Sequence, residues 1–75
     1  MEAHIRKDWQ AIILDMKDRA WWSYNIIARE LGVNAMTVWQ WGKGNATPRP
    51  YLQDKIMKLY NRVKRETEDY WEKSQ

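Results

Sequence analysis

The stretch that decides the fold of this chain spans residues 27–41 and reads Ile27-Ala28-Arg29-Glu30-Leu31-Gly32-Val33-Asn34-Ala35-Met36-Thr37-Val38-Trp39-Gln40-Trp41. Its apolar residues recur at helical spacing on either side of a single glycine. Gly32 can adopt the left-handed conformation that ends a helix, and Asn34 is a good N-cap for the next one. Ala28 is small enough to let two helices cross closely. The stretch therefore predicts a helix-turn-helix over about residues 23–42.

Helical periodicity also extends through the rest of the chain, and no stretch alternates with the period of a strand. A first helix is predicted over roughly residues 4–18. Ser23 is expected to cap the second helix, and Pro50 to begin a C-terminal helix over about residues 50–73. The predicted core consists of Ile5, Trp9, Ile12, Ile13, Met16 and Ala20 on the first helix and of Ile27, Leu31, Val33, Val38 and Trp41 around the glycine turn. The C-terminal helix carries an apolar stripe of Leu52, Ile56, Leu59, Val63 and Tyr70, interrupted by Glu66.

These elements predict one all-α domain over residues 1–75, a bundle of four to five helices. The count depends on the last helix, because Asn61 is a weak break point at which it would become two. A continuous helix from residue 50 to residue 73 would be roughly 36 Å long, longer than the body of so small a globule. Its distal half must fold back, cover the first helix or meet another chain. Contacts of a homodimer are therefore predicted at Val63, Tyr70 and Trp71.

The composition argues against a disulfide-stabilised protein, a membrane protein and an enzyme. The chain has 75 residues and no cysteine, so neither disulfides nor thiolate metal sites can stabilise its small core. No apolar run is long enough to cross a bilayer, and the first residues lack the apolar core of a signal peptide, so a soluble cytoplasmic protein is expected. We expect no cofactor, metal or small-molecule ligand. An enzyme is not expected, since His4 is the only histidine and no glycine-rich phosphate loop follows a strand.

The net charge of +3 is unevenly distributed along the chain. Charges balance in residues 1–20 and in residues 61–75. The excess lies in residues 21–60, where two acidic side chains oppose Arg29, Lys43, Arg49, Lys55 and Lys58. A polyanionic partner such as duplex DNA would favour this clustering around the helix-turn-helix. A net charge of this size is also ordinary for a small protein.

The third helix offers candidate base-reading residues. Helical geometry turns Met36 and Lys43 outward, with Gln40 on one side and Trp39 on the other. The Gln40 amide can match the N7 and N6 groups of adenine, and Met36 can touch a thymine methyl. The predicted base-reading set is Ala35, Met36 and Gln40, although a solvated glutamine and a half-buried methionine would leave the same pattern. Trp39 is a wedge against the DNA backbone, a dimer contact, or a residue covered by the last helix.

A second set of polar residues is predicted to contact phosphates. Free amides and the dipole at the start of the second helix favour an anion there, and donors follow in the loop after the third helix. The set comprises Ser23, Tyr24, Thr37, Lys43, Asn45, Thr47 and Arg49. Ser23 as only a helix cap would leave the same pattern, and so would Lys43, Asn45, Thr47 and Arg49 as ordinary polar loop residues.

The segment from about Trp22 to Tyr60 resembles the Cro/Xre family of phage and bacterial repressors, which have the lambda-repressor-like fold. The residues that carry the resemblance are Ile27-Ala28, Leu31-Gly32-Val33, Thr37-Val38, Trp41, Gly44 and the proline-containing loop before Leu52 and Ile56. The resemblance implies a dimer on operator DNA, with Ala35, Met36 and Gln40 at base-reading positions and Tyr24 and Lys43 near phosphates. The family often has an acidic residue where this chain has Gly42, which predicts a looser end for the reading helix.

Three functions are compatible with these patterns. The first is a sequence-specific repressor or regulator of transcription that reads double-stranded DNA with residues 34–41 in the major groove. The second is a DNA-binding accessory factor in phage excision or packaging. The third is a Trp-rich protein-interaction module whose helix-turn-helix is only architecture.

Overall fold

The structure, a computed structural model, describes the backbone of residues 8–74 and the side chains of residues 8–68. Within this part the chain is all-helical and forms four helices. They are α1 (Trp9–Ala20), α2 (Tyr24–Leu31), α3 (Ala35–Lys43) and α4 (Pro50–Ser74). The predicted all-α bundle with a long C-terminal helix is confirmed. α4 passes Asn61 without a break, so the described bundle has four helices rather than five.

Side-chain caps fix where the first three helices begin. The Ser23 Oγ accepts a hydrogen bond from the Ile26 amide at 3.3 Å, and the Asn34 Oδ1 accepts one from the Met36 amide at 2.7 Å. Both predicted caps are confirmed, and such a cap stabilises a helix by about 1 kcal/mol. Asp8 caps α1 in an extended conformation, so this helix begins at Trp9 rather than near residue 4. The predicted core residue Ile5 lies outside the described residues.

Left-handed residues end the same three helices. Gly32 (φ 75°) ends α2 and Gly44 (φ 79°) ends α3, and each amide donates back to carbonyls of its helix. α1 runs to Ala20, two residues beyond its predicted end, and Trp21 adopts the left-handed conformation there with φ 60°. A non-glycine residue in that conformation costs roughly 1–2 kcal/mol. No local signal in the sequence marks Trp21 for it.

One apolar core joins all four helices. α1 packs against α3 and α4, and α2 packs against the same two helices. Ala28 is buried within the helix-turn-helix, as its small side chain predicts. The core consists of Ile13, Met16, Ile27, Ala28, Leu31, Val38, Trp41, Leu52, Ile56, Leu59 and Val63. Trp9, Ile12, Ala20 and Val33 were predicted as core residues and are only partly buried at its edge.

α4 packs against α1. The Tyr60 hydroxyl donates a hydrogen bond to the Asp15 carboxylate, which ties the two helices together. Val63 is 1% exposed in the core of its own chain, so its side chain is not available on the surface for the predicted dimer contact. The side chains of Tyr70 and Trp71 lie outside the described residues. Self-association therefore stays a prediction.

Candidate nucleic-acid interface

The outward surface of α3 is formed by the side chains that its helical period predicts. Met36 is 60% exposed and Trp39 is 38% exposed, whereas Val38 and Trp41 are buried in the core. Gln40 is partly exposed and Lys43 is exposed. Trp39 is thus only partly covered, and its ring is open to contact from outside the molecule.

A shallow depression lies where the start of α2 meets α3. It has a volume of about 320 Å³ and is lined by Tyr24, Asn25, Ala35, Met36 and Trp39. We refer to it as the α2–α3 depression. Two of the three predicted base-reading residues, Ala35 and Met36, lie together in it. Gln40 is not among its lining residues and stands next to Trp39 along α3.

Two lysines lie over aromatic rings of this depression. The Lys43 Nζ is 5.7 Å from the centre of the Trp39 ring, and the Lys17 Nζ is 4.1 Å from the centre of the Tyr24 ring. Lys17 belongs to α1 and was not among the candidates from sequence. The charge count by segment did not reveal Lys17, because the charges of residues 1–20 balance as a whole. The surface is therefore more positive than the helix-turn-helix sequence indicates.

α3 is a regular helix at Gly42, where a looser end of the reading helix was expected. α3 continues through Gly42 to Lys43, and the Gln10 Nε2 donates a hydrogen bond to the Gly42 carbonyl at 3.2 Å. A Cβ atom on Gly42 would lie 2.6 Å from the Tyr24 hydroxyl. The missing side chain thus lets the Tyr24 ring approach the backbone of α3. Gln10 was also missed from sequence, because nothing local relates it to a residue so far along the chain.

The loop after α3 is anchored at both ends. The Asn45 amide donates to the Gln40 carbonyl at 2.9 Å, and the Gln53 side chain donates to the carbonyl of buried Pro48 at 2.9 Å. A second depression of about 350 Å³ lies beside this loop, lined by Val33, Thr37, Trp41, Ala46, Thr47, Arg49, Tyr51 and Leu52. The structure thus brings together the phosphate candidates Thr37, Thr47 and Arg49.

The other phosphate candidates lie elsewhere. Ser23 and Tyr24 are at the start of α2, and the exposed Lys43 and Asn45 are at the end of α3. The Ser23 oxygen serves as the cap of α2, which confirms the structural role considered for it. Its hydroxyl proton remains a donor.

Two of the lysines that give residues 21–60 their excess positive charge contact other groups of the same chain. The Lys55 Nζ donates to the Leu31 carbonyl at the end of α2, 3.3 Å away. Lys58 pairs with Asp54 at 3.3 Å on the exposed surface of α4. Lys55 and Lys58 both line a depression between α2 and α4, distinct from the α2–α3 depression. Two of the five cations behind the charge excess therefore lie away from the outward surface of α3.

Residues 8–68 contain no group of three or more histidine, cysteine, aspartate or glutamate side chains placed to hold a metal ion. None of the four described helices combines the length and apolarity needed to span a membrane.

No protein family model, no curated protein and no solved structure matches this chain. Any function is thus inferred from the surface described above and from the sequence pattern.

Proposed function

We propose that this protein binds double-stranded DNA, with α3 in the major groove. The observation that carries the proposal is the composition of the surface around α3: Met36 and Gln40 are accessible, and the ammonium groups of Lys17 and Lys43 lie over the rings of Tyr24 and Trp39. A groove about 12 Å wide admits a helix and presents both hydrogen-bonding groups and thymine methyls.

Within this proposal, base readout and backbone contact fall to different residues. The Gln40 amide would pair with an adenine edge, since it donates and accepts at once. Lysines and hydroxyls around α3 would contact phosphates and fix the position of the helix. The first turns of α2, α3 and α4 carry no acidic residue, so none of these turns would repel a phosphate from the positive end of its helix.

We further propose that the protein acts as a regulator of transcription, most simply a repressor that binds as a homodimer. A single α3 spans few base pairs, and two copies on half-sites one helical turn apart would give a longer, two-fold site. Such a role would place the protein in the cytoplasm of a bacterial or phage-infected cell. It requires no cofactor and no catalysis.

Selection of bound sequences from a pool of random duplexes tests the proposal. We expect a palindromic site whose affinity falls steeply with salt concentration. Gln40→Ala is expected to weaken binding to that site by about 1–3 kcal/mol and to leave binding to random DNA nearly unchanged. Asn61→Ala, which removes an exposed amide from α4, is the matched control and should bind as the wild type does.

Three results would count against parts or all of this proposal. Equal losses on selected and random DNA would remove Gln40 as a reader, and a selected site without two-fold symmetry would favour the accessory role over the dimeric repressor. Absence of salt-dependent duplex binding by the folded protein would favour a protein-interaction module. That alternative is supported by Trp21, whose large aromatic side chain is 87% exposed and available for contact with another protein.

A further inference from the structure

The α2–α3 depression lies next to Gln40 but is not lined by it, so the proposed readout by Gln40 gives the depression no role. Its lining is largely apolar, with the Tyr24 ring, Ala35, Met36 and Trp39 around it and Asn25 as the one amide. We propose that it is the binding site for the 5-methyl group of a pyrimidine in the major groove, either thymine or 5-methylcytosine. This inference rests on the proposed function and adds a second, methyl-dependent readout to it.

The exposure of Met36 supports an apolar occupant. More than half of this side chain is in water, 60% exposed, beside the partly exposed ring of Trp39. A methyl group placed between them would remove apolar surface of both partners from water. The unbranched methionine side chain can adjust its shape to such a contact. The volume of about 320 Å³ leaves room for a methyl group together with the base edge that bears it.

The charges around the depression favour DNA over an acidic protein surface. Among residues 8–68 no acidic side chain lines it, and a lysine ammonium lies over each of its two aromatic rings. A duplex presents base methyl groups in the groove with rows of phosphates on either side. One face of DNA thus supplies both the apolar group for the depression and the anions for Lys17 and Lys43.

A methyl-dependent contact has a consequence for DNA modification. The 5-methyl group is all that distinguishes thymine from uracil, and 5-methylcytosine carries its methyl on the same ring carbon. If the depression binds this group, the protein should prefer thymine to uracil at one position of each half-site. It should also prefer 5-methylcytosine to cytosine there. The chain would then respond to cytosine methylation of its site.

The test replaces each thymine of the selected site, one at a time, with deoxyuridine. We expect one thymine per half-site at which the wild-type protein binds about fourfold more weakly, the value of one methyl group removed from water. Placing 5-methylcytosine instead of cytosine at that position should strengthen binding by a similar factor. Met36→Ala should abolish both differences. Gln40→Ala should lower the affinity and preserve them.

The failures are distinguishable. Salt-dependent binding with equal affinity for thymine and uracil at every position overturns the methyl site and leaves the proposed function standing. Unchanged preferences in Met36→Ala, with circular dichroism showing an intact fold, overturn the assignment to this depression. A folded protein that binds no duplex overturns both proposals, and the depression is then better matched to an acidic protein partner.

Discussion

The Tyr60 hydroxyl of α4 donates a hydrogen bond to the Asp15 Oδ2 of α1, joining residues 45 positions apart. The Arg19 Nε donates to the same oxygen at 2.8 Å. Burial raises the pKa of Asp15, but the hydrogen bonds from Tyr60 and Arg19 and the charges of Arg19 and Lys64 outweigh it, so the pKa is lowered. The hydrogen bond to Asp15, followed by burial, raises the pKa of Tyr60.

These pKa directions predict how this contact depends on pH. A carboxyl whose pKa is lowered by folding stabilises the native state above its unfolded pKa of 3.8, and this contribution is lost as the pH falls through the folded value. A tyrosine whose pKa is raised stabilises the native state below its unfolded pKa of 10.0, and this contribution is lost as the pH rises through the folded value.

Tyr60→Phe should therefore lower the free energy of unfolding by about 1 kcal/mol near neutral pH, and the difference from the wild type should shrink in strong acid and strong alkali. Urea unfolding at a series of pH values measures it. Tyr51→Phe is the control, because Tyr51 lies on the same helix and is 67% exposed. If the difference in free energy of unfolding between the two proteins stays constant into strong acid, the stabilisation by the Tyr60 hydroxyl does not depend on an ionised Asp15.

The close approach of Tyr24 to Gly42 predicts a coupling between these positions. Gly42→Ala gains about 1 kcal/mol of helix propensity, but its Cβ atom meets the Tyr24 ring, and overpacking costs typically about 1–3 kcal/mol. We expect a net loss of about 1 kcal/mol in the wild type and a net gain in a Tyr24→Ala background. A double-mutant cycle of thermal or urea unfolding measures the coupling, and additive effects would contradict the contact.

The left-handed conformation of Trp21 predicts that glycine is better there. Trp21→Gly relieves backbone strain of roughly 1–2 kcal/mol in the folded state. Glycine also makes the unfolded chain more flexible, which offsets part of this gain, so the free energy of unfolding should rise by about 0.5–1 kcal/mol. Trp21→Ala removes the same exposed ring and keeps the strain, so it is the matched control. If the alanine and glycine variants unfold at the same denaturant concentration, position 21 is not strained.

Lys17 and Lys43 lie over aromatic rings of the α2–α3 depression, whereas Lys58 lies on α4. We therefore expect their charge variants to affect DNA binding differently. Lys17→Gln and Lys43→Gln should each lower the slope of log affinity against log salt by about one, as expected for the loss of one phosphate contact. Lys58→Gln, which disrupts the ion pair with Asp54 on α4, should leave the slope unchanged. Titrations of the selected duplex at several salt concentrations measure these slopes. A loss in Lys58→Gln equal to that in Lys43→Gln would mean that only net charge matters.

The sequence by itself determined the elements that depend on neighbouring residues. The caps Ser23 and Asn34, the left-handed Gly32 and the start of α4 at Pro50 were all predictable, because each acts within a few residues of its own position. The inward face of α3 followed from helical period. The end of α1 at Trp21 did not, because its residue type does not favour that conformation.

Tertiary structure alone decided how the candidate surface is assembled. Gln10 reaches Gly42 across 32 positions and Lys55 reaches Leu31 across 24, and no local pattern encodes contacts at such separations. The same packing brings Lys17 to the Tyr24 ring and buries Val63. Helical period indicates which face of each helix is apolar. Which polar side chains end up together depends on how the helices pack, because that packing is the joint result of contacts among all four.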